Sequence, residues 1–323
     1  MINAKILLDS VNPTGNRITS WILTYPRFFH SEVMTHRAFS RNAASSRAIP
    51  VKRMIDDIRQ NCAMPIFWGK NQAGMQAKEE LDDIVKRREI VVSPVGNGLD
   101  PYKLTVTDKH AAKHEWLAAR DSAIKHAEKM LELGVHKQIA NRILEPFMHM
   151  TVIITGTEFE NFYALRAHPD AQPEFQDLGY KMLDIYQLSE PKKLKAGEWH
   201  IPFGDNVNDQ RLVDCDAFAK ETEGMALGLG GGYKDYISLF KIKIATARCA
   251  RVSYLNFEGK DDYNKDIELH DILAKSGHWS PFEHSAMALS TSEYSGNFKG
   301  WKQYRKTFNE ENRGDGRVQK FNK

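Results

Sequence analysis

The stretch THRAFSRNAASSRAIP, residues 35–50, gathers a histidine, three arginines, three serines and an asparagine without one acidic side chain. Arg37, Arg41 and Arg47 offer permanently charged forks, and Ser40, Asn42 and Ser45 add neutral donors. That mixture binds phosphate or pyrophosphate without needing a metal ion. Arg27, Lys52 and Arg53 extend the cationic run, which Glu32 alone interrupts. A solvated or nucleic-acid-facing surface would carry the same composition, so the residues by themselves leave both readings open.

Other constellations are weaker. His110 and His114 are four apart and share a helical face, the geometry of a two-histidine metal site, but HExxH is absent and no third ligand is indicated. Solvated histidines at a helix start account for them, and no metal is expected. The run LGLGGGY, with glycines at 228, 230, 231 and 232, does not fit GxGxxG and reads as a flexible loop. Cys62, Cys215 and Cys249 are odd in number and lack CxxC spacing, which argues against a disulfide framework or a cysteine zinc site. Buried, inert sulfur in a reducing cytoplasm is the expectation.

Composition sets the frame. Lys and Arg number 45 against 42 Asp and Glu, a net charge of +3, so the cationic patch reflects placement and general polyanion binding is not implied. Apolar residues at 41% and charged residues at 27% describe a globular chain of 323 residues. No apolar run reaches bilayer length, and MINAKILLDS carries an acid too early for a secretory signal, so a soluble, unprocessed protein is expected.

Several elements must position the patch. Apolar stretches alternate through residues 1–35, and Pro26 favours a strand edge or a helix start. From Asp108 a helix is predicted by Trp116, Leu117, Ile124, Ala127, Met130 and Leu131, with Gly134 as its left-handed stop. Pro146 should begin or kink an element, Asn161 to Arg166 is helical in pattern, and the turn HPDAQPEF leads into the amphipathic QDLGYKMLDIY. Residues 190–235 are rich in Lys, Asp and Gly, which predicts an irregular insertion around 190–240 within a single domain over 1–323. ISLFKIKIATARCARVSYL reads as strand-like at first, and IELHDILAKS as a helix stopped by Gly277.

HRAFSRNAASSR resembles the RHRxxSxNExSxRY signature of flavin-dependent thymidylate synthases, the ThyX family. It agrees at His36, Arg37, Ser40, Asn42, Ser45 and Arg47, and departs at Thr35, Ala43 and Ala48. ANRILEPFMHMTVIITGTEFENFYALRAHPDAQPEF is similar to the family's ARIVLP segment and its later NFLxLRxxxxAQWEI, bringing Arg142, Asn161, Arg166 and Gln172 into register. ARCARVSY and SGHWSPFEHSA look like the family's AARVSF and GHxxPFEH, matching at Ser253, His278, Ser280, Glu283 and His284. In the family this block precedes the RHR motif, so the order here resembles a circular permutation. GNFKGWKQYRKTFNEENRGDGR echoes the signature again, with Arg305, Asn309 and Glu310, as a partial duplication would.

The resemblance implies an α+β fold, a mostly antiparallel sheet flanked by long helices, assembled as a homotetramer with shared active sites and no membrane partner. It implies a flavoprotein: FAD as cofactor, NADPH and methylenetetrahydrofolate as co-substrates, and transfer of a one-carbon unit to C5 of a pyrimidine deoxynucleotide, dUMP to dTMP. By carry-over, Ser45, Arg47 and Arg142 grip the nucleotide phosphate, and Arg166 faces the pyrimidine ring as the catalytic candidate. His36, Arg37, Ser40, Asn42, Asn161, Ser253, His278, Ser280 and Glu283 fall among the family's FAD contacts. Glu32 takes the place of a family glutamine beside the nucleotide, and an acceptor-only group there raises cytosine as an alternative to uracil. A hydroxymethylated product, or a flavin-free relative that binds nucleic acid, are the other readings that stay open.

Overall fold

The computed structural model describes residues 1–81, 88–92, 102–223, 231–252 and 262–312. β1 (Asn3–Val11) and β2 (Arg17–Pro26) form an antiparallel hairpin. Its turn is tied by the Asn12 side chain, whose Oδ1 accepts from Thr14 N at 3.1 Å and Asn16 N at 2.8 Å. β2 stops at Pro26 and a 3-10 turn follows, so both expectations for that proline hold at once. The chain continues through α1 (His30–Val33), β3 (Ser40–Ala43) and α2 (Val51–Gln60). A second hairpin, β4 (Arg88–Val92) and β5 (Tyr102–Val106), leads to α3 (Asp108–Glu132).

Thr107 caps α3 by accepting from His110 N, and Gly134 at φ +76° ends it, as its sequence predicts. After α4 (Lys137–Ala140), Pro146 sits inside a 3-10 turn, Asn141–Phe147, before β6 (His149–Gly156). Then come α5 (Glu160–Arg166), α6 (Pro173–Leu188), β7 (Lys192–Lys193), β8 (Trp199–His200), α7 (Asp209–Val213) and α8 (Asp216–Thr222). The predicted irregular stretch thus carries several short elements. α9 (Gly231–Arg251), α10 (Tyr263–Ser276) and the short strands β9 (Ala286–Ala288), β10 (Tyr294–Ser295), β11 (Phe298–Lys299) and β12 (Trp301–Gln303) complete the described chain.

The main sheet has the order β3-β6-β2-β1-β7 and is antiparallel except at β1–β7. This is the α+β architecture, a mostly antiparallel sheet with long helices. Strand pleating divides its side chains. Trp21, Leu23 and Tyr25 of β2 and Val152 and Ile154 of β6 join Met54, Ile124, Phe175 and Leu178 in the larger core, against α2, α3 and α6. The alternate positions, Ile18 and Ile153 among them, face the C-terminal half, where Cys249, Val252, Ala286, Phe298 and Trp301 cover them.

One expectation fails. The segment from Ile237 is the middle of helix α9, not a strand. Phe240 and Ile244 pack with α8 and α10, Ile242 with Trp279 and Phe282, and Cys249 with Ile153 of the sheet. A helix buried on several sides carries apolar residues around most of its girth, and over a short window that is indistinguishable from a strand's alternation. Of the LGLGGGY run, residues 227–230 lie outside the described residues, and Gly231 and Gly232 open α9. His110 Nδ1 lies 2.7 Å from Thr107 Oγ1, and the described residues contain no cluster of three or more His, Cys, Asp or Glu side chains suited to a metal.

Candidate functional site

The patch splits by strand register. β3 pairs with β6 as Ser40↔Thr155, Arg41↔Ile154, Asn42↔Ile153 and Ala43↔Val152, so Ser40 and Asn42 face one side and Arg41 the other. Arg41 is therefore turned under the loop before it, where Nη1 donates to the carbonyls of Val33 at 3.2 Å, Met34 at 3.0 Å and His36 at 3.2 Å. Arg37 and Arg47 are exposed and Ser45 is half-buried. Among the described residues no ion pair reaches either exposed arginine.

The second half of the loop rests on the 3-10 turn that follows α4. Asn141, wholly buried, donates from Nδ2 to Ser46 O at 2.7 Å and Ile49 O at 2.9 Å, and Lys137 Nζ donates to Ala48 O at 3.0 Å. Glu145 accepts from the Ser46 hydroxyl, from Arg142 Nη1 at 2.9 Å, and pairs with Arg27 Nε at 3.1 Å. Burial works against its charge, yet the Ser46 hydrogen bond and Arg27 outweigh it and hold the carboxyl below the usual range. Arg142, exposed, thereby stands beside residues 45–47.

Arg166 ends α5 and reaches the first half of the loop. Its Nε donates to His36 Nε2 at 2.9 Å, Nη2 lies 3.5 Å from Thr35 Oγ1, Nη1 lies 3.9 Å from Glu32 Oε2, and the guanidinium lies 4.4 Å over the Phe175 ring. Accepting at Nε2 fixes the neutral His36 with its proton on Nδ1. Burial, then Arg166 and Arg41, push His36 down to about 4, so the imidazole stays neutral near pH 7. Glu32 is raised, by burial first and by Glu174, against the pull of Arg166. Gly179 of α6 lets the helices approach here, since a Cβ would sit 2.7 Å from the Arg166 carbonyl carbon.

The third block meets the patch from the other face of the sheet. The Asn42 amide is oriented to donate to His284 Nε2 at 3.2 Å and to the carbonyls of Arg41 at 3.0 Å and Ser280 at 3.2 Å. His284 Nδ1 continues to Thr155 Oγ1 at 2.9 Å, Thr155 to Ser20 Oγ at 2.7 Å, Ser20 to His200 Nε2 at 2.9 Å, and His200 Nδ1 to Ser10 Oγ at 2.9 Å. Ser40 is buried against Gln303 and Asn297. Ser40 and Asn42, expected at a cofactor, thus lie in an internal joint satisfied by protein partners. His278 and Ser280 are exposed, and Glu283 is engaged by Arg305 at 2.6 Å, which also holds Glu311. Asn161 is exposed on the first turn of α5, and Ser253 lies outside the described residues. No local pattern marks Asn141, Glu145 or His200; only the neighbouring matched Arg142 points toward the first two.

In an α+β fold, the loops on either side of the edge strand β3 thus carry two exposed arginines, Arg37 and Arg47, with the neutral His36 and the Arg166 guanidinium beside the first. The family described as Thymidylate synthase complementing protein matches residues 17–192, more than half of the chain, and the chain belongs to it. The matched span includes the patch, Arg142 and Arg166, and ends before His278 and Glu283. A solved structure that resembles the chain is a UMP/dUMP methylase, PolB, from Streptomyces cacaoi, bound with 5-Br dUMP. The likeness has 16% identity and a TM-score of 0.35, covering 53% of this chain and 65% of that one. This chain therefore spans a little under two thirds of that protein's length. Comparison with curated protein sequences gives no match.

Proposed function

We propose that the protein transfers a one-carbon unit from methylenetetrahydrofolate to C5 of a pyrimidine deoxynucleotide, dUMP to dTMP, as a flavin-dependent thymidylate synthase-like methyltransferase of nucleotide biosynthesis. The observation that carries this reading is the bond from Arg166 Nε to His36 Nε2 at 2.9 Å. It brings two segments, 130 positions apart, to one spot beside Arg37, the chain neighbour of His36. Family membership supports it.

In this reading Ser45, Arg47 and Arg142 hold the phosphate, and Arg166 stabilises negative charge on the ring oxygen as C5 becomes nucleophilic. His36, Arg37, Asn161, His278, Ser280 and Glu283 are the candidates toward FAD. The residues fit such a group: the exposed Arg37, without a carboxylate partner among the described residues, suits a pyrophosphate, and a neutral imidazole suits an uncharged ring. When bound, FAD would carry the electrons that NADPH supplies. Catalysis by a protein thiol is not required, and the three cysteines are free, which suits a cytoplasmic setting. Among the described residues no helix is long and apolar enough to cross a membrane.

We also place the whole chain in one domain and in a homo-oligomer, a tetramer by family resemblance. α3 supports assembly. Over 25 residues it buries only Ile124 and Ala127, while Leu131, Leu133 and the nearby Ile139 stay 38%, 71% and 54% exposed.

Glu32 favours a second reading. A carboxylate 3.9 Å from Arg166 faces the same spot and would accept from the exocyclic amine of cytosine. The test is to incubate the protein with NADPH, methylenetetrahydrofolate and either dUMP or dCMP and to weigh the product. A methyl product from dUMP is expected. A hydroxymethyl product, heavier by one oxygen, or turnover of dCMP alone, replaces the first reading with the second. A colourless protein that turns over neither nucleotide and binds DNA with steep salt dependence removes both.

A further inference from the structure

We propose that Arg41 and Asn141 are positioning residues, a two-part clamp that grips the loop 33–49 by its carbonyl oxygens and so holds Arg37, Ser45 and Arg47 out as one anion-binding face; this rests on the proposed function. Loops keep their shape only when their buried carbonyls find donors. Here two side chains supply five of the bonds, beside single ones from Lys137 to Ala48 O and Asn297 to Ala38 O. Arg41 Nη1 serves Val33, Met34 and His36 at 3.0 to 3.2 Å, and Asn141 Nδ2 serves Ser46 and Ile49 at 2.7 and 2.9 Å. The bonded carbonyls are directed at the clamp, which keeps their partial negative charge off the face where an anion would sit.

Neither side chain is explained by stability alone. Arg41 is half-buried, and among the described residues no carboxylate lies within ion-pairing distance of it, so its direct partners are carbonyl dipoles. Burying a charge this way is unfavourable unless the geometry matters. Burial indeed lowers its proton affinity, against the pull of Tyr25 and Glu283. The carbonyl oxygen of the Asn141 amide, Oδ1, is buried with no partner. An alanine would avoid that cost, and alanine is what the family's ARIVLP segment has at this place; the asparagine gains only the two bonds its nitrogen makes. In the signature, Arg41 falls at an unspecified position, so the clamp belongs to this chain and not to the motif.

The two N–H bonds of Nη1 are shared among three carbonyls and are aimed by the rigid, planar guanidinium, whereas a lysine ammonium, a point charge on a flexible stem, would hold them less precisely. Arg41→Lys and Asn141→Ser, both mild enough to fold, therefore test the clamp in the full chain, with Arg41→Ala and Asn141→Ala beside them. Three quantities are measured: amide hydrogen exchange over residues 33–50 without ligand, the Kd for inorganic pyrophosphate and for dUMP, and the thermal midpoint. The Arg41 variants should speed exchange at 33–40 and the Asn141 variants at 45–50. Each should weaken both ligands about tenfold, the scale expected when a binding group is displaced by an ångström or so. Unchanged local exchange, or a lowered midpoint with unchanged Kd, overturns the clamp. A wild-type protein that binds no pyrophosphate overturns it too. If wild type gives no product but binds pyrophosphate, and the variants lose that binding, the one-carbon reading falls and the clamp stands.

Discussion

At the scale of residues, Arg166 is held on three sides before any substrate arrives: His36 at its Nε edge, Glu32 beyond Nη1, and Phe175 beneath its plane. A guanidinium so fixed loses little freedom when charge develops on a bound ring, which is what makes electrostatic catalysis effective. Arg166→Ala should therefore abolish turnover, with a loss of about 2 to 4 kcal/mol or more in transition-state stabilisation, while the yellow flavin spectrum persists. Retained activity in that variant takes Arg166 out of the catalytic role. Ser45→Ala touches a different step, and its expected effect is weaker nucleotide binding by about 1 to 3 kcal/mol, read by calorimetry.

At the scale of elements, the placement of Arg166 depends on how closely α6 passes the end of α5. Gly179 has the Arg166 carbonyl carbon 2.7 Å and the Ala167 nitrogen 2.9 Å from where a Cβ would lie. These are backbone atoms, so neither can swing aside. Gly179→Ala should cost about 1 to 3 kcal/mol of stability and also reduce turnover by shifting the end of α5. Thermal unfolding together with kinetics reads both, and a stable, fully active variant would show that the approach does not matter. Gly277, at φ +74°, is of the other kind: it closes α10 while His278 N bonds back to Leu273 O at 3.0 Å. There the demand is on backbone conformation and not on space, and it sets where the chain turns toward His278 and Ser280.

At the scale of the whole molecule, the two halves are joined by the buried chain Ser10, His200, Ser20, Thr155, His284 and Asn42, which crosses β1, β2, β6 and β3. His200 and His284 are wholly buried, and burial drives both down to about 3, with each histidine neutral in the fold. His30, His36 and His149 are lowered to about 4 for the same first reason. A lowered folded value means that the unfolded chain binds more protons below pH 6.5. Stability should thus be complete above about pH 6.5 and fall as the pH drops toward 3, with each such histidine contributing a slope of up to about 1.4 kcal/mol per pH unit. Urea midpoints at pH 7, 6 and 5 should decline, and His284→Gln should flatten the decline. A midpoint that does not move across that range contradicts the neutral, buried assignment.

Much of this protein is legible from local chemistry. The periods of α3, α6 and α10, the left-handed stops at Gly134 and Gly277, and the type and spacing of the residues from His36 to Arg47 are all written within short windows, because helix signals and motif chemistry act over a few residues. Which way each of those residues faces was decided elsewhere. Arg41 turns to the face opposite Ser40 and Asn42 because β3 takes its register from β6, more than a hundred residues on. Asn42 serves a joint because His284, 242 positions away, lies across the sheet. The segment at Ile237 is a helix because three separate packings bury its different sides. Glu283 is paired because Arg305 folds back onto it. Pattern records what a side chain can do; only long-range packing and strand pairing choose its partner.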